Sequence, residues 1–441
     1  MNSGKYVFAQ VMSLVNPKDF AKCVARYQGN SRVRSFSCWH QFLCMSFGQL
    51  SHRESLRDLV LCLQAQSPRL YHMGISNGVK KSTLADANEN RDWRIYADFA
   101  LVLIQKARHI YRDRNDTGIE LENVVYALDS TTIELCLDVF WWARFRRYKA
   151  AVKLHTLLDV KCEIPCFVHI SDGLTHDVNV LDILEFEAGA FYVMDKGYID
   201  WKRLYAIHRA GSFFVTRAKA NLAADRVYSN PVDKTTGLRC DQTVKLRGNK
   251  ARKDYPEHLR RVKYYDKEHG KTYVYLTNSF EIPALQVAIL YLNRWKIELF
   301  FKWIKQHLKI QTFWGETQNA VKAQIWIAVC TYVLVAILKK EHNFSHSMNE
   351  ILQILSVSLF DKTPVNQLLM KQSIHNQNID SHKSMFGILK AQKWESVSSL
   401  RIHQNRKQCQ HNLKTLPTPS GKLWKIFCPP KESENLTSVW S

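Results

Sequence analysis

The segment YLNRWKIELFFKWIKQHLKI, Tyr291 to Ile310, carries two separate stripes that one long helix would display at once. At about 100° per residue, Tyr291, Arg294, Glu298 and Lys305 fall within an arc of roughly 60° along about 21 Å of helix axis. Leu292, Trp295, Leu299 and Trp303 form an apolar stripe about 115° away, the expected core-facing ridge. A solvated helix face usually repeats Glu four residues before Lys. This one instead sets one carboxylate among two fixed cations and a phenol, a combination suited to a metal ligand flanked by phosphate contacts.

Carboxylate partners for Glu298 must come from upstream, where from about Asn115 the pattern changes to short apolar runs. VVYALDST (Val124 to Thr131), KLHTLLDV (Lys153 to Val160) and PCFVHISD (Pro165 to Asp172) read as strands, the last two joined by a Glu163-Ile-Pro165 turn. A helical stretch near Val180 to Glu187 follows, then strand FYVMDKG (Phe191 to Gly197), a helix through Leu204, and strand SFFVTRA (Ser212 to Ala218). The order β-β-β-α-β-α-β with a later helix predicts an α/β chain with an RNase H-like core. Asp129 and Asp195 each close an apolar strand, where side chains emerge from a sheet. In such a sheet those strands are neighbours, so Asp129, Asp195 and Glu298 could together hold two Mg²⁺ or Mn²⁺ ions roughly 4 Å apart for in-line phosphoryl transfer. Asp159, at the end of the second strand, is the reserve candidate; Asp172 and Asp177 compete more weakly as turn residues.

The spacing Tyr-x2-Arg-x3-Glu-x6-Lys, with DST at Asp129 and DKGY at Asp195, resembles the bacterial DDE transposases of the insertion-sequence-4 family from Val124 to about Lys309. The resemblance implies that Asp129, Asp195 and Glu298 bind metal and catalyse, while Tyr291, Arg294 and Lys305 touch phosphates near the cleaved end. It further implies terminal inverted repeats and target DNA as substrates, cut-and-paste transposition, and a homodimer in the synaptic complex. Related enzymes cut the second strand through a DNA hairpin, with a Trp in an insertion stacking on a flipped base. This chain has no Trp between Trp201 and Trp295, which leaves Tyr273 and Tyr275 as the nearest aromatics. The competing readings are a non-catalytic DNA-binding relative and an RNase H-like nuclease without strand transfer.

Charge agrees with a polyanionic partner: 62 Lys and Arg stand against 40 Asp and Glu in 441 residues, a net +22. With 46% hydrophobic residues the chain can bury two or three cores. Three regions are expected: a helical, DNA-binding N-terminal domain over 1–114, a catalytic domain over 115–340 with a β-rich insertion at about 217–280 lying over the active site, and a mostly helical C-terminal region and tail over 341–441. Within the first, Ser51-His-Arg-Glu54 has the pattern of a capping box opening a helix near His52. A turn at Ser76-Asn-Gly78 then leads through Lys80 and Lys81 into a short helix, a weak helix-turn-helix pattern that makes those two lysines candidate DNA contacts.

The apolar run Ile325 to Leu338 is short for a bilayer and reads as a buried helix, and MNSGKYVFAQ lacks the regions of a signal peptide. The expectation is a cytoplasmic, nucleoid-associated protein without membrane contact. Eleven scattered cysteines fit reduced thiols. Cys162, Cys166, His169 and His176 have zinc-capable side chains but sit on what reads as a hairpin, so buried structural roles are preferred for them.

Overall fold

The computed structural model describes residues 4–75, 78–111, 121–146, 149–307 and 313–370. Ser76 and Asn77 of the expected turn, Ile310 at the end of the two-striped segment, and the proline-bearing tail from Leu413 lie outside them. Helices come first: α1 (Val7–Met12), α2 (Pro17–Arg26), α3 (Cys38–Leu50), α4 (Leu56–Ala65), α5 (Ser67–Leu70), α6 (Lys81–Asn90) and α7 (Arg94–Ile110). Several open where a side chain accepts from an orphan N–H, as Asn16 does from Lys18 beside Pro17 and Ser55 does from Asp58. The start expected near His52 is corrected to Leu56. Ser51 forms no box with Glu54 because its hydroxyl donates back to Phe47 O within α3 (2.7 Å), and His52 takes a left-handed φ of 55° that no right-handed helix accommodates.

Among the described residues ten strands form one sheet: β1 (Val125–Leu135), β2 (Arg144–Arg146), β3 (Lys149–Asp159), β4 (Ile164–Asp172), β5 (Phe191–Met194), β6 (Phe213–Arg217), β7 (Ala224–Asn230), β8 (Leu238–Leu246), β9 (Leu259–Asp266) and β10 (Lys271–Thr277). β4, β3 and β1 form an antiparallel meander, and β5 and β6 add to its other side parallel to β1. That order and sense is the RNase H-like core. Helix α8 (Trp201–Arg209) makes the crossover from β5 to β6, while the helix expected near Val180 to Glu187 is only a 3-10 segment, Asp177–Asp182.

Beyond β6 the expected β-rich segment at about 217–280 continues the sheet. Its strands lengthen the sheet in the order β6-β10-β9-β8-β7, because the open edge of β6 accepts β10 with Tyr275 opposite Arg217. An unpaired strand edge is a standing demand for backbone partners, and the chain satisfies it from its own sequence. A short helix, α9 (Asn249–Asp254), links β8 to β9.

The remaining helices are α10 (Ala284–Leu292), α11 (Trp295–His307), α12 (Gln318–Glu341), α13 (Met348–Ser358) and α14 (Val365–Met370). α12 is 24 residues long and apolar enough to cross a membrane by length and composition, longer than its apolar run suggests, but 94% of its apolar window is buried inside the protein. It packs against α7, α3 and α6, and Tyr111, just after α7, donates to Ala336 O (2.8 Å). These helices share one hydrophobic core with the Val125, Ala127 and Ile133 face of the sheet; α8 covers the Tyr126 and Leu128 face with a second core. The alternation along β1 thus separates two cores at one strand.

Candidate active site

Asp129 sits where the sheet splits. β1 pairs with β5 only as far as Leu128 opposite Met194, then continues alone beside β3 to Leu135. Asp129 and Asp195 therefore follow the last paired residues of two neighbouring parallel strands, whose axes lie about 4.8 Å apart. The carboxyl ends of parallel strands are the usual place for a site in an open α/β sheet.

The two-striped segment is not one helix. It breaks at Asn293 and Arg294 between α10 and α11, so Tyr291 and Glu298 stand on different helices with Arg294 at the joint. The ridge also differs from expectation. Leu292, Trp295 and Leu299 are 42%, 37% and 40% exposed, and of that stripe only Trp303 is buried. Ile297, Phe300, Phe301 and Ile304 face inward instead, on the opposite side of the Arg and Glu row. Both flanks of that row are apolar in sequence, and the flank that packs is fixed by the reach of Arg294 to the strand.

Arg294 bridges two carboxylates. One Nη donates to Asp129 Oδ2 at 2.8 Å and the other to Glu298. Asp195 accepts from the Tyr291 hydroxyl (3.1 Å) and from the Arg217 guanidinium (3.2 Å). Both guanidiniums lie over the Tyr291 ring, 5.7 Å and 5.9 Å from its centre. Lys305 Nζ donates to Thr132 O (2.9 Å), three residues past Asp129, and Lys296 Nζ donates to Val160 O (3.1 Å), so α11 is tied to the β1–β3 ribbon at two levels. Tyr291, Arg294, Glu298, Asp129 and Asp195 are thus brought together, with Lys305 alongside. Lys80 and Lys81 are exposed at the start of α6 in the helical layer.

Electrostatics separate the two aspartates. Burial pushes the Asp129 carboxyl up to about 6, only partly offset by Arg294. Burial acts on Asp195 too, but the Lys196 N–H, Arg217 and the Tyr291 hydroxyl outweigh it and hold that carboxyl below its ordinary value. Tyr291 is pushed up to about 12 by burial and stays a donor, and burial lowers Lys305.

Arg217 escaped the sequence reading. Its signal was present: it ends β6 one residue after Thr216, which pairs with Met194, so it must neighbour Asp195. Of the other acids, Asp159 caps a turn by accepting from Lys161 and Cys162 N–H groups, Asp172 does the same for Thr175, and Asp177 pairs with Lys153 at 3.2 Å. His155 is buried against the sheet with Nε2 2.8 Å from Ser171 Oγ. Cys162 is buried and burial pushes the Cys166 thiol up to about 12, while His169 stacks on Phe167. Tyr275 is buried against Tyr291 (4.9 Å between ring centres) and cannot receive a base; only Tyr273 of that pair is partly exposed.

An RNase H-like sheet with acidic side chains gathered at its parallel strand ends is an arrangement suited to phosphoryl transfer, a chemistry that the fold alone does not fix. Residues 120–334 match the Transposase DDE domain family, and residues 3–76 match a domain of unknown function, DUF4372. A Sinorhizobium fredii protein carrying the name transposase y4zB is 33% identical over 289 residues, covering 64% of this chain and 78% of that one. The transposase for insertion sequence element IS5377 of Geobacillus stearothermophilus is 33% identical over 226 residues, covering 50% and 59%. The transposase for element IS4SA of Synechocystis is 23% identical over 291 residues, covering 64% and 78%. Among solved structures, a chain of the piggyBac transposase synaptic complex with hairpin DNA aligns over 88% of this chain and 85% of its own at 11% identity and a TM-score of 0.42, too low to carry weight. The chain belongs to the DDE transposase family of insertion sequences. It is an enzyme of cut-and-paste DNA transposition, acting on DNA by cleavage and strand transfer with divalent metal.

Proposed function

We propose that Asp129, Asp195 and Glu298 are the catalytic carboxylates and would hold two Mg²⁺ or Mn²⁺ ions. The supporting observation is that three acids from three separate elements are joined through one set of cations, Arg294 pairing with Asp129 and Glu298 and Arg217 with Asp195. Among the described residues no three acidic, His or Cys side chains converge closely enough to hold an ion. Arg294 stands between Asp129 and Glu298, a cation in the place a metal would take. All the donors are hard oxygens, the set that Mg²⁺ and Mn²⁺ prefer. Bound there, the ions supply a lowered pKa for the attacking water or 3′-hydroxyl and positive charge for the leaving oxygen.

The chain's own residues do the rest. Arg294 exchanges its carboxylates for phosphate oxygens of the transposon end, a planar fork suited to either partner. Tyr291 and Lys305 donate to neighbouring phosphates. Arg217 keeps Asp195 ionised and oriented through its 3.2 Å contact. The substrates are terminal inverted repeats and target DNA, and the working assembly is a homodimer, cytoplasmic and on the nucleoid. Incubating labelled element ends and target plasmid with the protein and Mg²⁺ tests this reading: joined products are expected, whereas nicks alone would indicate a nuclease.

Lys80 and Lys81 are assigned to reading the repeat. Neutralising six or more phosphates gives a log–log salt slope for binding of about −5 or steeper. Charge reversal at both lysines is expected to weaken element ends more than random duplex in a filter-binding titration. An equal loss on both would leave them as general phosphate contacts and remove the reader assignment.

A further inference from the structure

β1 runs six residues beyond Asp129 before turning at Cys136, and the connection back to β3 is rich in aromatic and basic residues, CLDVFWWARFRRYK. At about 3.3 Å per residue, the turn begins roughly 20 Å from Asp129, the length of about six base pairs of B-form DNA. It lies past Lys305 in the same direction, since Lys305 meets β1 at Thr132 and the chain following α11 then braces the turn. Phe140 packs on Phe313 (6.1 Å between ring centres), and Trp142 donates its indole N–H to Glu316 O at 2.7 Å. Ala143 is fully buried, and Phe145 fills the space at Gly173, where any Cβ would come within 2.6 Å of its ring.

One aromatic of this braced turn points away. Trp141 is 76% exposed, although burying an indole of its size is worth upward of about 2 kcal/mol. Its neighbour Arg144 is also exposed and, among the described residues, has no carboxylate partner. Over 136–149 four basic residues face one acidic one, Asp138. A braced turn that leaves an indole exposed and a guanidinium without a carboxylate partner among the described residues, beyond the carboxylates, matches a ligand with stackable faces and negative charge.

We propose that the 140–145 turn is a second DNA-gripping element, in which Trp141 wedges against the bases of a duplex about six base pairs from the scissile phosphate and Arg144 takes an adjacent phosphate. The inference rests on Asp129 marking the cleavage centre. It concerns duplex DNA as a chemical class, either the element end or the target.

The test uses the full chain and duplexes carrying a single 2-aminopurine at successive positions around the cleavage site, in element-end DNA and separately in target DNA. Wild type is expected to change the fluorescence at positions about six base pairs from the cut, in whichever duplex the turn contacts. Trp141→Ala is expected to lose that response and roughly tenfold in affinity, Trp141→Tyr to recover part of both, and Arg144→Ala to reduce the salt slope by about one. Because Trp141 is exposed, thermal melting of Trp141→Ala should match wild type. An unchanged 2-aminopurine response in Trp141→Ala overturns the proposal, as does a change confined to self-association in sedimentation, which would assign Trp141 to a second copy. Asp129→Asn separates the two levels: it should keep the local response while losing cleavage. A wild type that neither binds nor cuts the duplex would instead remove the underlying assignment.

Discussion

Asp129→Asn, Asp195→Asn and Glu298→Gln are each expected to lose about a thousandfold or more of metal-dependent cleavage, several kcal/mol of transition-state stabilisation, while binding element ends nearly as wild type does. The amides keep the shape of the acids and an acceptor for Arg294 or Tyr291, so a folding defect is not the expected cause of the loss. Truncation to Ala is the harsher variant. In Asp129→Ala the mostly buried Arg294 guanidinium would lose its Asp129 partner and, among the described residues, keep only Glu298. Cleavage of labelled ends in Mg²⁺ and in Mn²⁺, beside a gel-shift titration without metal, reads both quantities. Retained cleavage by Glu298→Gln in Mg²⁺ would falsify the carboxylate assignment.

Asp241→Ala is expected to destabilise the protein by about 3–5 kcal/mol, the cost of leaving a buried charge unpaired. Arg260 on β9 and Asp241 on β8 meet diagonally across the ladder, with side chains only 6% and 7% exposed. Nε and Nη2 donate to the two Asp241 oxygens at 2.8 Å and 2.9 Å, and Nη1 donates to Ile282 O at 2.6 Å. Ile282 lies just before α10, so the pair ties the added strands to the entry of the helix bearing Tyr291. Urea unfolding of Asp241→Ala and of the double variant Asp241→Leu with Arg260→Met measures the effect, and the double variant should recover much of the loss. A loss under about 1 kcal/mol in the single variant would mean that water reaches Arg260.

Much of this arrangement was legible in the sequence because its signals are local. Apolar β-branched runs marked β3, β4, β5 and β6 to within a few residues, and Asp195 marked the end of β5; Asp129, expected to close its strand, lies instead inside β1, which runs on beside β3 to Leu135. The helix start near His52 failed because Ser51 had a better use for its hydroxyl inside α3, a competition that pattern alone does not decide.

The sequence by itself determined the identities and spacing of the acids and cations, the positive charge, and the order of strands that makes Asp129 and Asp195 neighbours. Those are properties of period and position along the chain, and they survive without knowledge of what packs where. Only the tertiary structure decided which flank of α11 is buried, since both flanks are apolar and the choice depends on a contact 165 residues away in sequence, Arg294 to Asp129. It alone also decided that the 217–280 strands extend the sheet, that Tyr275 is interior, and that Trp141 rather than Phe140 or Trp142 faces solvent. In each case the local sequence allows more than one partner, and the free energy of burying one face against a distant element selects among them.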